Sequence, residues 1–350
     1  MSQEEFEISK RISDKIEDQI PLFEEYLKAK GVTQRYIKST IAKITRICKV
    51  CNFKLMAEMN GTVLLRWLNK QVAAGMDAKT RNNYRGAILC FSNWAVDDKS
   101  LVENPFTKVP KAREASDRRH ERRALSVTEI TRLLKAAEER PLHELTLIRF
   151  RKRQGRNEAN VREEIKEQAK RRGLERKLVY ATLIYTGLRK SELASIAIGQ
   201  VFIDAEIPHI ILAAKDEKVR RGAALPLHPE LTEHLKQWLK LKEKVPPKEK
   251  LFHFPCCLVR EMDRDLKYAG IEKRDLLNRV ADVHALRHTH ATLLAKRGVA
   301  PSVTGKSMRH ANIKETGVYT HLDIQDVAEG INRIPGFLSE TENKTGLSEQ

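Results

Sequence analysis

The chain has 350 residues, 41% hydrophobic and 32% charged, with a formal net charge of +18. That length suits two domains, and the charge points to a polyanionic partner, nucleic acid ahead of an anionic membrane surface. No apolar run approaches the roughly 18–20 residues of a membrane span, the acidic start MSQEEFEISK lacks the apolar stretch of a secretory signal, and five cysteines without disulfide spacing suit a reducing, cytoplasmic setting.

Residues 1–20 form an acidic segment, and 21–106 then read as four helices. The first covers 21–30 and stops at Gly31. The second covers 33–51, where Ile37, Ile41, Ile44, Cys48 and Cys51 step by 4, 3, 4, 3 along one face. That periodicity assigns the lone C-x-x-C to core packing in preference to metal. The third covers 62–74 and ends at Gly75. The fourth covers 78–98, with Tyr84, Ile88, Phe91 and Ala95 on one side, and Asn104-Pro105 breaks the pattern. Residues 107–124 carry almost no apolar side chains and read as an extended basic linker.

A second domain, 125–338, opens with the capping box Ser126-Val-Thr-Glu129 ahead of Ile130, Leu133 and Leu134. Residues 141–173 form a charged insertion with a helical middle near 158–172. An apolar helix over 174–185 ends at Thr186-Gly187, and a short helix carries Arg189, Glu192 and Leu193. Three short strands follow at 201–204, 209–213 and 223–227, with Lys215 in the second connection. Helices are expected at 229–244, 258–269, 284–297, 302–309 and 313–321, and 339–350 reads as a disordered tail. The expected fold is therefore mainly α with a small β-sheet, a four-helix module preceding an α-rich domain.

Four pieces of the second domain share one chemistry. They are Thr186-Gly-Leu-Arg189-Lys-Ser-Glu192-Leu193; Lys215; His284-Ala-Leu-Arg287-His288-Thr289; and Arg309-His310, with Tyr319 nine residues after that histidine. Phosphodiester transfer places extra negative charge on non-bridging oxygens, which fixed cationic donors stabilise. Arginine suits this role because it stays charged and presents a fork of donors. The departing 5′-oxygen takes a proton from a general acid, and a side-chain hydroxyl can serve as nucleophile, storing the bond as a phosphoryl-enzyme. With this much cationic charge no metal or other cofactor is required.

In order and spacing the four pieces resemble the signature of the tyrosine recombinase, or phage integrase, family. The likeness covers 125–335 well, and the preceding helical module is similar to the family's core-binding domain. The resemblance implies that Arg189, Arg287 and His310 hold the scissile phosphate. It further implies that Lys215 protonates the 5′-oxygen, that His284 helps to accept the tyrosine proton, and that Tyr319 attacks to give a 3′-phosphotyrosine. Glu192 and His288 would support these groups from behind. Lys79, Arg81, Arg85, Arg118, Arg119 and Arg309 are candidate DNA contacts. Double-stranded DNA and a homotetramer assembled on it are the implied partners, with no membrane.

One departure is Arg309, where the family usually has glycine. An arginine there predicts a backbone without positive φ and a side chain reaching a neighbouring phosphate or the Tyr319 helix. The residues leave integration or excision of a mobile element, the favoured roles, beside resolution of chromosome dimers. A type IB topoisomerase and a catalytically silent DNA-binding protein are the competing readings. The separate helical module and the H-x-L-R-H piece disfavour the first, and the intact residue set disfavours the second.

Overall fold

The computed structural model describes residues 13–117, 119, 121–147, 161–216, 222–242, 245–255, 257–309 and 324–337. The chain divides into two compact units, Met1–Arg119 and His120–Gln350. Among the described residues no helix is long and apolar enough to cross a membrane.

Unit 1 contains α1 (Ile16–Ala29), α2 (Gln34–Cys51), α3 (Gly61–Ala73) and α4 (Ala78–Asp97). Thr33, Asn60 and Asp77 cap the last three by accepting first-turn backbone N–H groups. Their core centres on Phe23, Phe91 and Trp94, whose ring centroids lie 5.3–5.7 Å apart. Cys48 is buried within it, and desolvation, followed by the neighbouring Cys51, pushes its thiol up to about 12.

Helix α1 starts five residues ahead of the expected Pro21. The Ile16 N–H donates to Lys54 O (2.8 Å) and Met56 N–H to Asp14 O (3.0 Å), so the loop after α2 anchors the first turn. Pro21 stands inside the helix on its exposed side.

The expected linker does not hang free over its first half. Asn82 exchanges two 2.9 Å hydrogen bonds with the Ala112 backbone, and the Ala78 N–H donates to Asp117 (2.8 Å). Arg81 donates to Pro110 O (2.8 Å) and Arg85 to Val109 O (2.6 Å). Arg119 reaches back to Gly75 O (2.8 Å). Residues 109–119 thus belong to unit 1, while 121–123 join unit 2 through both backbone groups of Val280.

Unit 2 is built on the pairing of α5 (Val127–Thr146) with α6 (Glu163–Thr186). The helical halves expected on either side of Gly173 form one continuous helix. A Cβ on Gly173 would lie 2.0 Å from the Glu138 carbonyl oxygen, so this glycine serves a close helix crossing and not a break. The described parts of the charged segment 141–173 extend these two helices; 148–160 lie outside the described residues. Several of its cations are already paired, Lys166 with Glu163 and Lys170 with Glu167.

Behind the crossing lies a buried ionic network. Arg140 donates to Asp265 (2.6 Å) and Glu144 (2.9 Å) and pairs with Glu261 (2.5 Å), while Arg176 and the Tyr180 hydroxyl hold the second Asp265 oxygen at 2.8 Å. Asp265 sits on α9 (Leu258–Tyr268), so the network ties a third helix to the pair.

After α6 come α7 (Lys190–Ser195) and an antiparallel sheet of β1 (Val201–Phe202), β2 (His209–Leu212) and β3 (Ala223–Pro226), in the order β1-β2-β3. Then follow α8 (Pro229–Lys240), α9, α10 (Val283–Lys296), α11 (Pro301–Met308) and α12 (Ile324–Asn332), the last not anticipated from sequence. The segment beyond α12 is docked on the end of α6. Phe337 stacks on Tyr185 at 4.4 Å, and Glu230 accepts from the Tyr185 hydroxyl (2.6 Å) and the Phe337 N–H (2.9 Å).

Gly173→Ala separates propensity from packing. Alanine is the better helix former by about 1 kcal/mol, but the new methyl meets backbone that cannot rotate away, and overpacking costs about 1–3 kcal/mol or more. The expected outcome is net loss of stability in urea unfolding of the full chain; an unchanged or raised midpoint would contradict the close crossing.

Candidate active site

The site is organised by the turn between α6 and α7. Gly187 ends α6 in the left-handed conformation (φ 62°), and the imidazole of His290 lies where its Cβ would stand. Its carbonyl accepts from Arg287 Nη1 and from Arg309 Nη2 (3.3 Å). Arg189 then caps α7, and the Glu192 side chain reaches back to it, accepting from the Arg189 N–H (2.8 Å) and guanidinium (2.6 Å). Arg309 Nη2 completes the carboxylate at 2.9 Å.

Glu192 is 1% exposed. Burial alone would raise its pKa, but the Arg189 N–H and the charges of Arg309 and Arg189 outweigh that and hold it below the ordinary carboxylate value. It is an ionised, buried anion enclosed by arginines.

On α10, Asp282 caps the first turn by accepting from Ala285 N–H (2.8 Å) and is gripped by Arg122 at 3.0 Å to each oxygen. His284 and Arg287 follow, three residues apart on one face. Arg287 is 3% exposed; it donates to the carbonyls of Gly187 and Met308. Burial, then Arg309 and Arg189, pulls its pKa down to about 10, so it stays cationic at neutral pH. His284 is exposed at its edge. Partial burial, then the Arg122, Arg287 and Arg189 cations, against Asp282, lowers its pKa and leaves a neutral imidazole able to accept a proton.

The structure thus brings Arg189, Glu192, His284, Arg287 and Arg309 together. Lys215 is exposed in a single turn, Ala214–Asp216, just after β2, and this turn packs on α7. His288 is exposed on α10. His310, Tyr319 and Arg118 lie outside the described residues. Among the described residues no three His, Cys, Asp or Glu side chains converge as metal ligands would.

The candidate DNA contacts divide. Lys79 is exposed, whereas Arg81 and Arg85 direct donors to the Pro110 and Val109 carbonyls and Arg119 pairs with Asp117 (2.6 Å). Two expectations for Arg309 fail. Its backbone is left-handed (φ 51°, ψ 47°), and its side chain turns inward to Glu192, Gly187 and Ser307, not outward to a neighbouring phosphate.

His290 was passed over in the sequence. It is wholly buried, with Nδ1 2.8 Å from Ile184 O and Nε2 2.8 Å from the Ser307 hydroxyl, which joins α10 to α6 and α11. Its place three residues after Arg287 on an otherwise buried face was the available signal.

A family model for the phage integrase family matches residues 156–326. Over that stretch the chain resembles the phage integrase family of tyrosine recombinases. It is similar to tyrosine recombinase XerA of Saccharolobus solfataricus, 31% identical over 43% of this chain and 47% of the relative. It also resembles tyrosine recombinase XerC of Proteus mirabilis, 24% identical over 83% of this chain and 82% of the relative. The chain spans about half the length of most of the curated relatives it matches. Among solved structures it shares its fold with a lambda integrase tetramer bound to a Holliday junction. That likeness has a TM-score of 0.62 at 14% identity and covers 92% of this chain and 85% of that chain. In this family fold, the Gly187 turn and the first turn of α10 are where this chain gathers its cations.

His290 gives the fold a pH signature. Burial, the largest effect, lowers its pKa from 6.5 to about 3, so the folded protein keeps it neutral while the unfolded chain protonates it near the ordinary value. Between these values the unfolded state binds the extra proton. The contribution is fully present above 6.5 and is lost as pH falls, by about 1.4 kcal/mol per unit. In urea unfolding across that window, His290→Asn is expected to flatten the acid slope by close to one proton. An unchanged slope would contradict a neutral buried His290.

Proposed function

We propose that this chain is a site-specific DNA recombinase that cleaves and rejoins duplex DNA through a 3′-phosphotyrosyl intermediate on Tyr319. The observation that carries the reading is the convergence of Arg189, Arg287 and His284 around one turn, with Lys215 on a second turn packed against α7. In a family whose reaction is phosphoryl transfer, that charge awaits a phosphate.

Arg189 keeps a quarter of its side chain exposed, and only one of its five donors is spent on the Glu192 side chain by way of Nη1. It is the cation best presented to a non-bridging oxygen. Arg287 stands deeper and contributes its field and whatever donors its two carbonyl bonds leave over. The Tyr319 hydroxyl attacks phosphorus as its proton passes towards His284. The P–O5′ bond breaks, and the 5′-oxygen takes a proton from Lys215. Rejoining reverses this: a 5′-hydroxyl attacks the phosphotyrosine and the phenolate leaves. One phosphodiester is exchanged for another, so no ATP is consumed and no metal is needed.

Exchange between two duplexes requires four strand cleavages, and we assign a homotetramer on DNA, the assembly of the lambda integrase structure on its Holliday junction. Integration or excision of a mobile element is the role we favour. His310 completes the phosphate contacts and Glu192 fixes the cations from behind.

The test uses a nicked suicide substrate carrying the recombination site. Wild-type protein is expected to form an SDS-resistant protein–DNA adduct, with EDTA present or absent. Tyr319→Phe is expected to bind DNA as wild type does and to form no adduct. An adduct with the phenylalanine variant would overturn the nucleophile, and loss of cleavage in EDTA with rescue by magnesium would overturn the mechanism.

A further inference from the structure

Arg309 occupies a position that disfavours it. A left-handed backbone costs a non-glycine residue about 1 kcal/mol or more, and Arg309 is one of four non-glycine residues with positive φ among those described. Asn52, Lys99 and Asn278 are the others, and none of them places a guanidinium in the interior. Arg309 does: it is 8% exposed, with Nη1 3.0 Å from Ser307 O and Nη2 2.9 Å from Glu192 and 3.3 Å from Gly187 O. The left-handed turn at the end of α11 aims the side chain back beneath the α6–α7 turn.

We propose that Arg309 is a positioning residue that sets the reach of Arg189 through Glu192. The inference rests on the proposed recombinase reading. Glu192 has two oxygens: one takes the Arg189 guanidinium, the other takes the Arg189 N–H together with Arg309. With Arg309 in place, the buried carboxylate is neutralised without drawing more of Arg189 onto itself, and the remaining Arg189 donors stay turned to the substrate side. Without Arg309, a buried anion with one cation fewer binds Arg189 more closely, because a buried charge must be compensated. The same guanidinium shares the Gly187 carbonyl with Arg287, so it also fixes the depth of the second arginine. Its contacts are to protein groups, and DNA need not touch it.

The experiment compares Arg309→Gly, Arg309→Lys and Arg309→Asn with wild type on the suicide substrate, measuring DNA affinity and the single-turnover cleavage rate at saturating DNA. Glycine and asparagine both accept the left-handed backbone, so an inactive but folded protein is distinguishable from an unfolded one by its thermal transition. Affinity is expected within about twofold of wild type, while the cleavage rate falls about 10–100-fold, as for other residues that orient a reacting group from behind. Arg309→Lys restores part of that loss. Combined with Glu192→Gln, Arg309→Gly is expected to cost far less than the product of the two single losses, because both act on Arg189. Weakened DNA binding with an intact saturating rate would make Arg309 a DNA contact and overturn the proposal, as would multiplicative effects in the double variant. Adduct formation by wild type tests the recombinase reading on its own; the variant-to-wild-type ratios test this one.

Discussion

Everything at the site depends on one buried carboxylate. Glu192 is enclosed in the protein interior and can remain there as an anion only while cations and N–H donors surround it. Meeting that demand brings Arg189 from the start of α7 and Arg309 from the end of α11 to the same point, and Gly187 O then couples Arg309 to Arg287 of α10. Two guanidinium groups bind the one carboxylate and a third shares Gly187 O with Arg309, so the cluster keeps a surplus of positive charge. Such a surplus is costly in a protein at rest and useful where a phosphate is to be held.

The rest of unit 2 keeps that turn in place. Helix α6 delivers Gly187, and its course is set midway by the Gly173 crossing with α5 and at its C-terminal end by the Tyr185–Glu230–Phe337 contacts. The Arg140–Asp265 network ties α9 to the same pair. His290 joins α10 to α6 and α11 from within, close enough to Gly187 to exclude a Cβ there. Rigid placement matters because preorganised donors act on a transition state without the cost of reorienting.

What could be read from the sequence was local. The Gly187 helix stop, the Arg189–Glu192 reach of three residues and the three-residue spacing of His284 and Arg287 follow from hydrogen bonding within a turn or two, and the motif pattern shows them. Long-range partners were not legible. Nothing near Gly173 announces that Glu138 O will sit against it, so 158–172 and 174–185 read as separate helical stretches. Arg81 and Arg85 looked like free cations because the carbonyls they serve lie 24 to 29 residues on. Arg309 was misread for the same reason: its left-handed backbone is supported by Glu192, 117 residues earlier.

The most direct test of this account is a structure of the covalent complex trapped on a suicide DNA substrate. The account predicts density running unbroken from the Tyr319 oxygen to a 3′-phosphate, with Arg189 on a non-bridging oxygen and Glu192 still between Arg189 and Arg309. A phosphate joined to another side chain, or bound away from the Gly187 turn, would contradict it.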